Sequence, residues 1–192
     1  MPPPPPNPPI TFTHPPSLAP FAVPLPTFLA SLPAGPTIHG ITTSILVFDS
    51  HNRILLLQRA AHDSMPGQWE CPGGAVDAED PTILDAAMRE LWEEAGLRGE
   101  RVVRFVEEAG VQGLVGGERV EERGLVFEFV NRKGVFRRFY RVAFEVVVEG
   151  GGEGTTPVVV LDPEEHQDYL WAGEEEHLER IPSAIPNIYG YN

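Results

Sequence analysis

The stretch that leaves this chain the fewest choices runs from Pro72 to Leu97, PGGAVDAEDPTILDAAMRELWEEAGL. A Gly73-Gly74 turn leads through a short acidic link into a segment with helical periodicity, and Gly96 stands where a left-handed residue would end that helix. Asp80 followed by Pro81 predicts the N-cap and the first helical position, since proline there needs no backbone donor. At about 100° per residue, Leu84, Ala87, Met88, Leu91 and Ala95 share one face. Glu90, Glu93 and Glu94 crowd a neighbouring arc, because positions three and four apart lie side by side. Three carboxylates there repel one another, at the helix end whose dipole disfavours anions. Arg89 offsets one of them by pairing with Glu93. The remaining charge is carried either by solvation or by a hard divalent cation with oxygen ligands. The glycine turn favours the cation, because carbonyls with no Cβ in the way can approach a metal that the helix also reaches.

This stretch resembles the signature box of the Nudix hydrolases, G-x5-E-x7-R-E-U-x-E-E-x-G-U, where U is a bulky aliphatic residue. Arg89, Glu90, Leu91, Glu93, Glu94, Gly96 and Leu97 match its second half in full. The first half departs: counting from Gly74, the expected glutamate falls on Asp80, and the spacing from there to Arg89 is one residue too long. Glu79 is the other candidate for that acid. In the family this acid mainly supports the loop–helix–loop, so the departure bears on loop geometry more than on metal binding.

Residues 1–36 form a separate compositional regime that holds 14 of the 21 prolines, and the first acidic or basic side chain of the chain is Asp49. Met1–Pro9 reads as a solvated polyproline-II arm, with an SH3- or WW-type ligand as the functional alternative. Residues 17–33 are too apolar for a free tail: Leu18, Phe21, Val23, Leu25, Phe28 and Leu29 are expected against the domain, with Thr27 capping a short helical turn. The predicted organisation is a Pro-rich disordered arm over 1–16, a packed extension over 17–37 and one domain over 38–192.

Within that domain, Ile41–Phe48 and Ile54–Arg59 read as a hairpin across Asp49-Ser50-His51-Asn52. Trp69–Pro72, Val102–Glu107, Leu125–Val130 and Phe136–Val148 read as further strands, with a last helix over Glu174–Ile181. The order strands, helix, strands, helix indicates an α+β fold, an α/β/α sandwich with a mixed sheet flanked by helices. The resemblance, which covers roughly residues 38–182, implies the same Nudix architecture.

The formal net charge of −14 argues against a nucleic-acid backbone as the main partner. It would also repel a phosphate substrate unless a bound metal inverts the local charge. A capped RNA end is the one nucleic-acid substrate left open. The apolar runs are too short for a membrane span, which needs about 18 residues, and the N-terminus lacks a basic n-region. The single Cys71 fits a reducing compartment and reads as a small buried hydrophobe. A cytoplasmic location is the expectation. His39, His51, His62, His166 and His177 show no HxH or HExxH spacing, so no zinc site is expected.

The resemblance then assigns roles. It implies metal-dependent cleavage, with Mg²⁺ or Mn²⁺, of a phosphoanhydride in a nucleoside diphosphate linked to another group. Glu90, Glu93, Glu94 and the Gly74 carbonyl are the expected metal set. Glu90 and Glu94 also carry catalytic expectations. Glu165, six residues before Trp171 in an expected loop, is the candidate base or further ligand, with Glu164 as fallback. Arg59 and Trp69 are the substrate-contact candidates, through phosphate and base stacking, and Arg89 and Asp80 are structural supports. Arg132, Lys133, Arg137, Arg138 and Arg141 form a basic cluster, read first as the exposed side of a hairpin. A silent nucleotide-binding or regulatory module of the same fold is the alternative function, and a homodimer is left open.

Overall fold

Phe136–Val148, the longest strand-like run, becomes the spine of the fold. In the computed structural model the described residues are 10–32, 34–63, 65–106, 125–130, 134–151 and 154–173. The strands are β1 (Gly40–Leu46), β2 (Ile54–Arg59), β3 (Trp69–Glu70), β4 (Gly99–Val106), β5 (Leu125–Val130), β6 (Phe136–Val148) and β7 (His166–Ala172). β6 pairs in parallel with β1 along one edge; antiparallel β5 and β4 follow one another along the other. A second, antiparallel sheet has the order β3-β2-β7. Helices α1 (Leu25–Ser31) and α2 (Ile83–Ala95) pack against this frame. The fold is α+β, with its strands divided between two sheets.

That division corrects the expected β1–β2 hairpin. Only Phe48 and Ile54 form a bridge across the turn, after which β1 and β2 enter different sheets. β6 on one side and the 72–76 segment on the other take the edges of β1, while the Asp49 carboxylate holds the turn, accepting from the backbone N–H groups of His51 and Arg53 (2.9 Å each) and from Arg53 Nε (2.9 Å). The turn is thereby fixed by side-chain bonds and needs no ladder. Both faces of β2 are then covered. Leu55 and Leu57 join the main core with α2, and Ile54 and Leu56 join a smaller core with Leu46, Trp69, Cys71 and Ala172.

The N-terminal segment completes the main core. Leu18, Phe21 and Phe28 are buried there, and Phe21 stacks on Phe28 and Phe105 and meets Phe144 edge-on. Three corrections concern local boundaries. Thr27 lies inside α1, whose N-cap is Pro24. Residues 10–16 belong with the packed extension: Thr13 N–H donates to the Glu100 carbonyl (3.0 Å), and Val102 N–H donates to the Thr13 carbonyl (2.9 Å). Helix α2 starts after Thr82, whose Oγ1 accepts from Asp85 N–H, because the Asp80 carboxylate is engaged elsewhere. Gly96 ends α2 at φ +63°, as its position predicts. The expected helix over 174–181, Met1–Pro9, Arg132 and Lys133 lie outside the described residues. Among the described residues no helix is long and apolar enough to cross a membrane.

Candidate active site

Leu84, Ala87, Met88 and Leu91 seat α2 in the main core, and this sets Glu90 and Glu94, one turn apart, under the glycine loop. The loop runs beside β1 as an added ribbon: Thr43 N–H donates to the Gly74 carbonyl (2.8 Å) and Ile45 N–H to the Pro72 carbonyl (2.7 Å). Gly73 is sterically required, and Gly74 lies directly against the Glu90 carboxylate. A Cβ on Gly73 (φ +148°) would stand 2.2 Å from the Thr43 carbonyl oxygen, and one on Gly74 would stand 2.7 Å from the Glu90 carboxyl carbon. Gly73 N–H donates to Glu94 Oε2 at 2.7 Å.

Two acids thus lie almost wholly out of water. Burial pushes the Glu94 carboxyl well above the ordinary range against the Gly73 hydrogen bond, and the charges of Glu70, Glu90 and Glu165 push the same way. Burial likewise raises Glu90, to about 7; the charge and hydrogen bond of Arg89 oppose it, and Glu93 and Glu165 add to it. A carboxyl raised in the folded state contributes stability below its unfolded pKa, and that contribution is lost as pH rises through the folded value. Metal-free protein should therefore lose a few kcal/mol between about pH 4.5 and 7, at about 1.4 kcal/mol per pKa unit. Thermal denaturation in EDTA across that range measures it, and Glu90→Gln should flatten the slope. An unchanged slope in that variant would place the titration elsewhere.

Arg89 is the hub of the helix's acidic side. Its Nε and Nη2 each donate to the Asp80 carboxylate at 2.9 Å, its Nη1 donates to Glu90 (2.8 Å) and Glu93 (2.9 Å), and Nη2 also reaches the Ala75 carbonyl. Asp80 also accepts from Asp77 N–H (2.8 Å), closing the acidic link on itself.

The facing wall comes from the smaller sheet. In its ladders Leu57 sits opposite Glu70 on one side and Tyr169 on the other, so the three side chains share the face turned to α2. Glu70 accepts from Arg59 Nη1 (2.5 Å), and Arg59 also pairs with Asp63. The charge and hydrogen bond of Glu70 and the charge of Asp63 outweigh burial and keep Arg59 firmly cationic. His166 Nε2 lies 3.2 Å from Glu70 Oε1. One ligand atom each from Glu94, Glu165 and His166 lies within 4.8 Å of the others.

The expected residues are therefore gathered only in part. Glu94 and Glu165 come together, and Glu90 is close enough for its charge to act on them. Glu93 is half-exposed and turned to Arg89. The Gly74 carbonyl accepts from the Thr43 N–H, with the Thr43 hydroxyl at 3.4 Å, which leaves its second lone pair for the expected role. Arg59 is already neutralised by two carboxylates. Trp69 is buried in the smaller core and offers no open face for stacking, whereas Tyr169 on β7 is exposed. Glu165 lies in the turn before β7, as expected, but β7 then occupies most of the stretch expected to be irregular. His166 and Glu70 were not singled out for this site, because neither sits in a recognisable spacing. The donors that are gathered, two carboxylates and an imidazole with Glu90 beside them, fit a divalent cation.

A NUDIX domain family model matches residues 38–189. The m7GpppN-mRNA hydrolase NUDT17 of Homo sapiens is 42% identical over 65 residues, 32% of this chain and 20% of that protein. The RNA pyrophosphohydrolase of a Psychrobacter species is 43% identical over 53 residues, 28% of each. The chain thus spans less than a third of the length of either relative. In fold, the chain is similar to the crystal structure of a MutT protein from Methanosarcina mazei, with TM-score 0.55, 22% identity, and coverage of 81% of this chain and 93% of that one.

Proposed function

The chain belongs to the Nudix family, and from that premise we propose that it hydrolyses a phosphoanhydride bond in a nucleoside diphosphate linked to a second group, using Mg²⁺ or Mn²⁺. The observation that carries this is the convergence of Glu94 and Glu165, with Glu90 adjacent, below a loop where a Cβ on Gly74 would strike a carboxylate. Burying such acids without compensation is costly, and a site of this kind is built for a cation. When bound, a divalent cation supplies charge neutralisation on the diphosphate and a water acidified towards neutral pH.

The chain's own residues then divide the work. Glu94 anchors the site from α2, with its second oxygen fixed by the Gly73 N–H. Glu165, exposed at the mouth, serves as a further carboxylate on the cation or takes the proton of the attacking water; Glu90 beside it is the alternative base. Glu93 takes part once substrate or cation draws it from Arg89. The charge of −14 disfavours bare phosphate, so substrate enters on the cation.

The test is product release from a panel of sugar nucleotides, ADP-ribose, dinucleoside polyphosphates, capped RNA ends and oxidised nucleotides, with magnesium, manganese or EDTA. Cleavage of at least one, abolished by EDTA, is the expected result. Silence across the panel from folded, metal-binding protein would move the assignment to a nucleotide-binding module.

A further inference from the structure

We infer that His166 supplies a nitrogen ligand to the divalent cation held by Glu94 and Glu165, with Glu70 as the carboxylate that orients its ring. The inference rests on the proposed metal-dependent reading of this site.

A β-bulge is what aims the ring. Along β7, strict alternation would put His166 on the face of Asp168, Leu170 and Ala172, beside the smaller core. The register slips between Gln58 and Arg59, so that Gln58 opposes Asp168 but Arg59 opposes His166, leaving Gln167 as the extra residue. The slip turns His166 to the face shared by Leu57, Glu70 and Tyr169, the face towards α2. Bulges re-aim side chains in this way beside active sites.

The ring is then held for a purpose that protein contacts leave incomplete. His166 is 1% exposed. Nε2 lies 3.2 Å from Glu70 Oε1, and a carboxylate only accepts, so a proton on Nε2 satisfies this contact and leaves Nδ1 with its lone pair. Nδ1 is buried and, among the described residues, meets no hydrogen-bonding partner. A buried lone pair without a donor is unfavourable unless a ligand uses it. A metal-bound histidine commonly gives its other N–H to a carboxylate, which fixes the ring and raises its basicity. Glu70, itself held by Arg59, is that carboxylate. One imidazole beside two carboxylates shifts preference from magnesium, which favours oxygen, towards first-row ions that accept nitrogen.

Mn²⁺ bound to the full-length protein, read by electron spin-echo envelope modulation, tests this without an activity measurement. The expected result is ¹⁴N modulation from a directly bound imidazole that survives His62→Gln and disappears in His166→Gln. Co²⁺ affinity should fall by about 10–100-fold in His166→Gln, while Mg²⁺ affinity changes by only a few-fold. Should His166→Gln fail to fold, Glu70→Gln serves: the modulation stays and Co²⁺ affinity falls about 10-fold. Bound Mn²⁺ without ¹⁴N modulation, or modulation that persists in a folded His166→Gln, overturns the nitrogen ligand and leaves metal-dependent hydrolysis standing. Absence of any Mn²⁺ binding overturns both.

Discussion

Glu94→Gln is expected to lower turnover by about 10²–10³-fold, a loss of the size seen when one preorganised electrostatic contact is removed. The fold should survive. Glutamine keeps the shape and an oxygen to accept the Gly73 N–H that ties Glu94 to the loop. It removes the charge that burial and the acids Glu70, Glu90 and Glu165 all disfavour. Metal-free protein should therefore melt higher, by about 2–4 °C for each kcal/mol relieved in a chain of this size. Opposite signs for turnover and stability separate a site under strain from a merely structural glutamate. The check pairs kcat on the best substrate of the panel with Tm in EDTA. Near-full turnover would falsify the assignment of Glu94 to the cation; a lower Tm would show that the carboxylate is a net stabiliser.

How much of this was legible beforehand depended on whether the determining contact is local. The helix, its buried face and its end at Gly96 follow from periodicity and a left-handed terminus, which are properties of consecutive residues. The start of α2 did not, because side-chain partners outside the cap decide whether the expected Asp80 is free. Asp80 is drawn off by Arg89 and Asp77, so Thr82 caps. The hairpin expected between β1 and β2 failed for a related reason: the turn forms, but β6, about a hundred residues away, and the glycine loop take the two edges of β1. Glu94 was visible through the box, whereas the placement of His166 depends on a bulge whose partner strand lies far away in sequence. Trp69 is the converse case. Its residue type suits base stacking, but pairing of β3 with β2 carries its ring into the smaller core.

Arg89→Met should cost about 3–5 kcal/mol, the loss typical when one member of a buried ionic group is removed. Arg89 has 17% of its side chain exposed, Asp80 7% and Glu90 11%. The variant leaves these acids facing one another in low dielectric, with no guanidinium to span them. Asp80 is one methylene shorter than the glutamate of the signature box, and the chain between it and Arg89 is one residue longer. The two departures compensate, since both Asp80 oxygens still meet the guanidinium at 2.9 Å. Arg89→Lys should recover only part of the loss, because a single ammonium cannot reproduce a fork that serves three carboxylates and a carbonyl. The deficit should also depend on pH. Arg89 holds Glu90 down at about 7, so at pH 5 Glu90 is already protonated and needs its partner less than at pH 8. Urea denaturation of wild type and variant at the two pH values measures both effects. A deficit below about 1 kcal/mol at either pH would mean that this is a surface cluster of the kind that contributes little. The longer loop would then owe its shape to the Thr43–Gly74 ribbon alone.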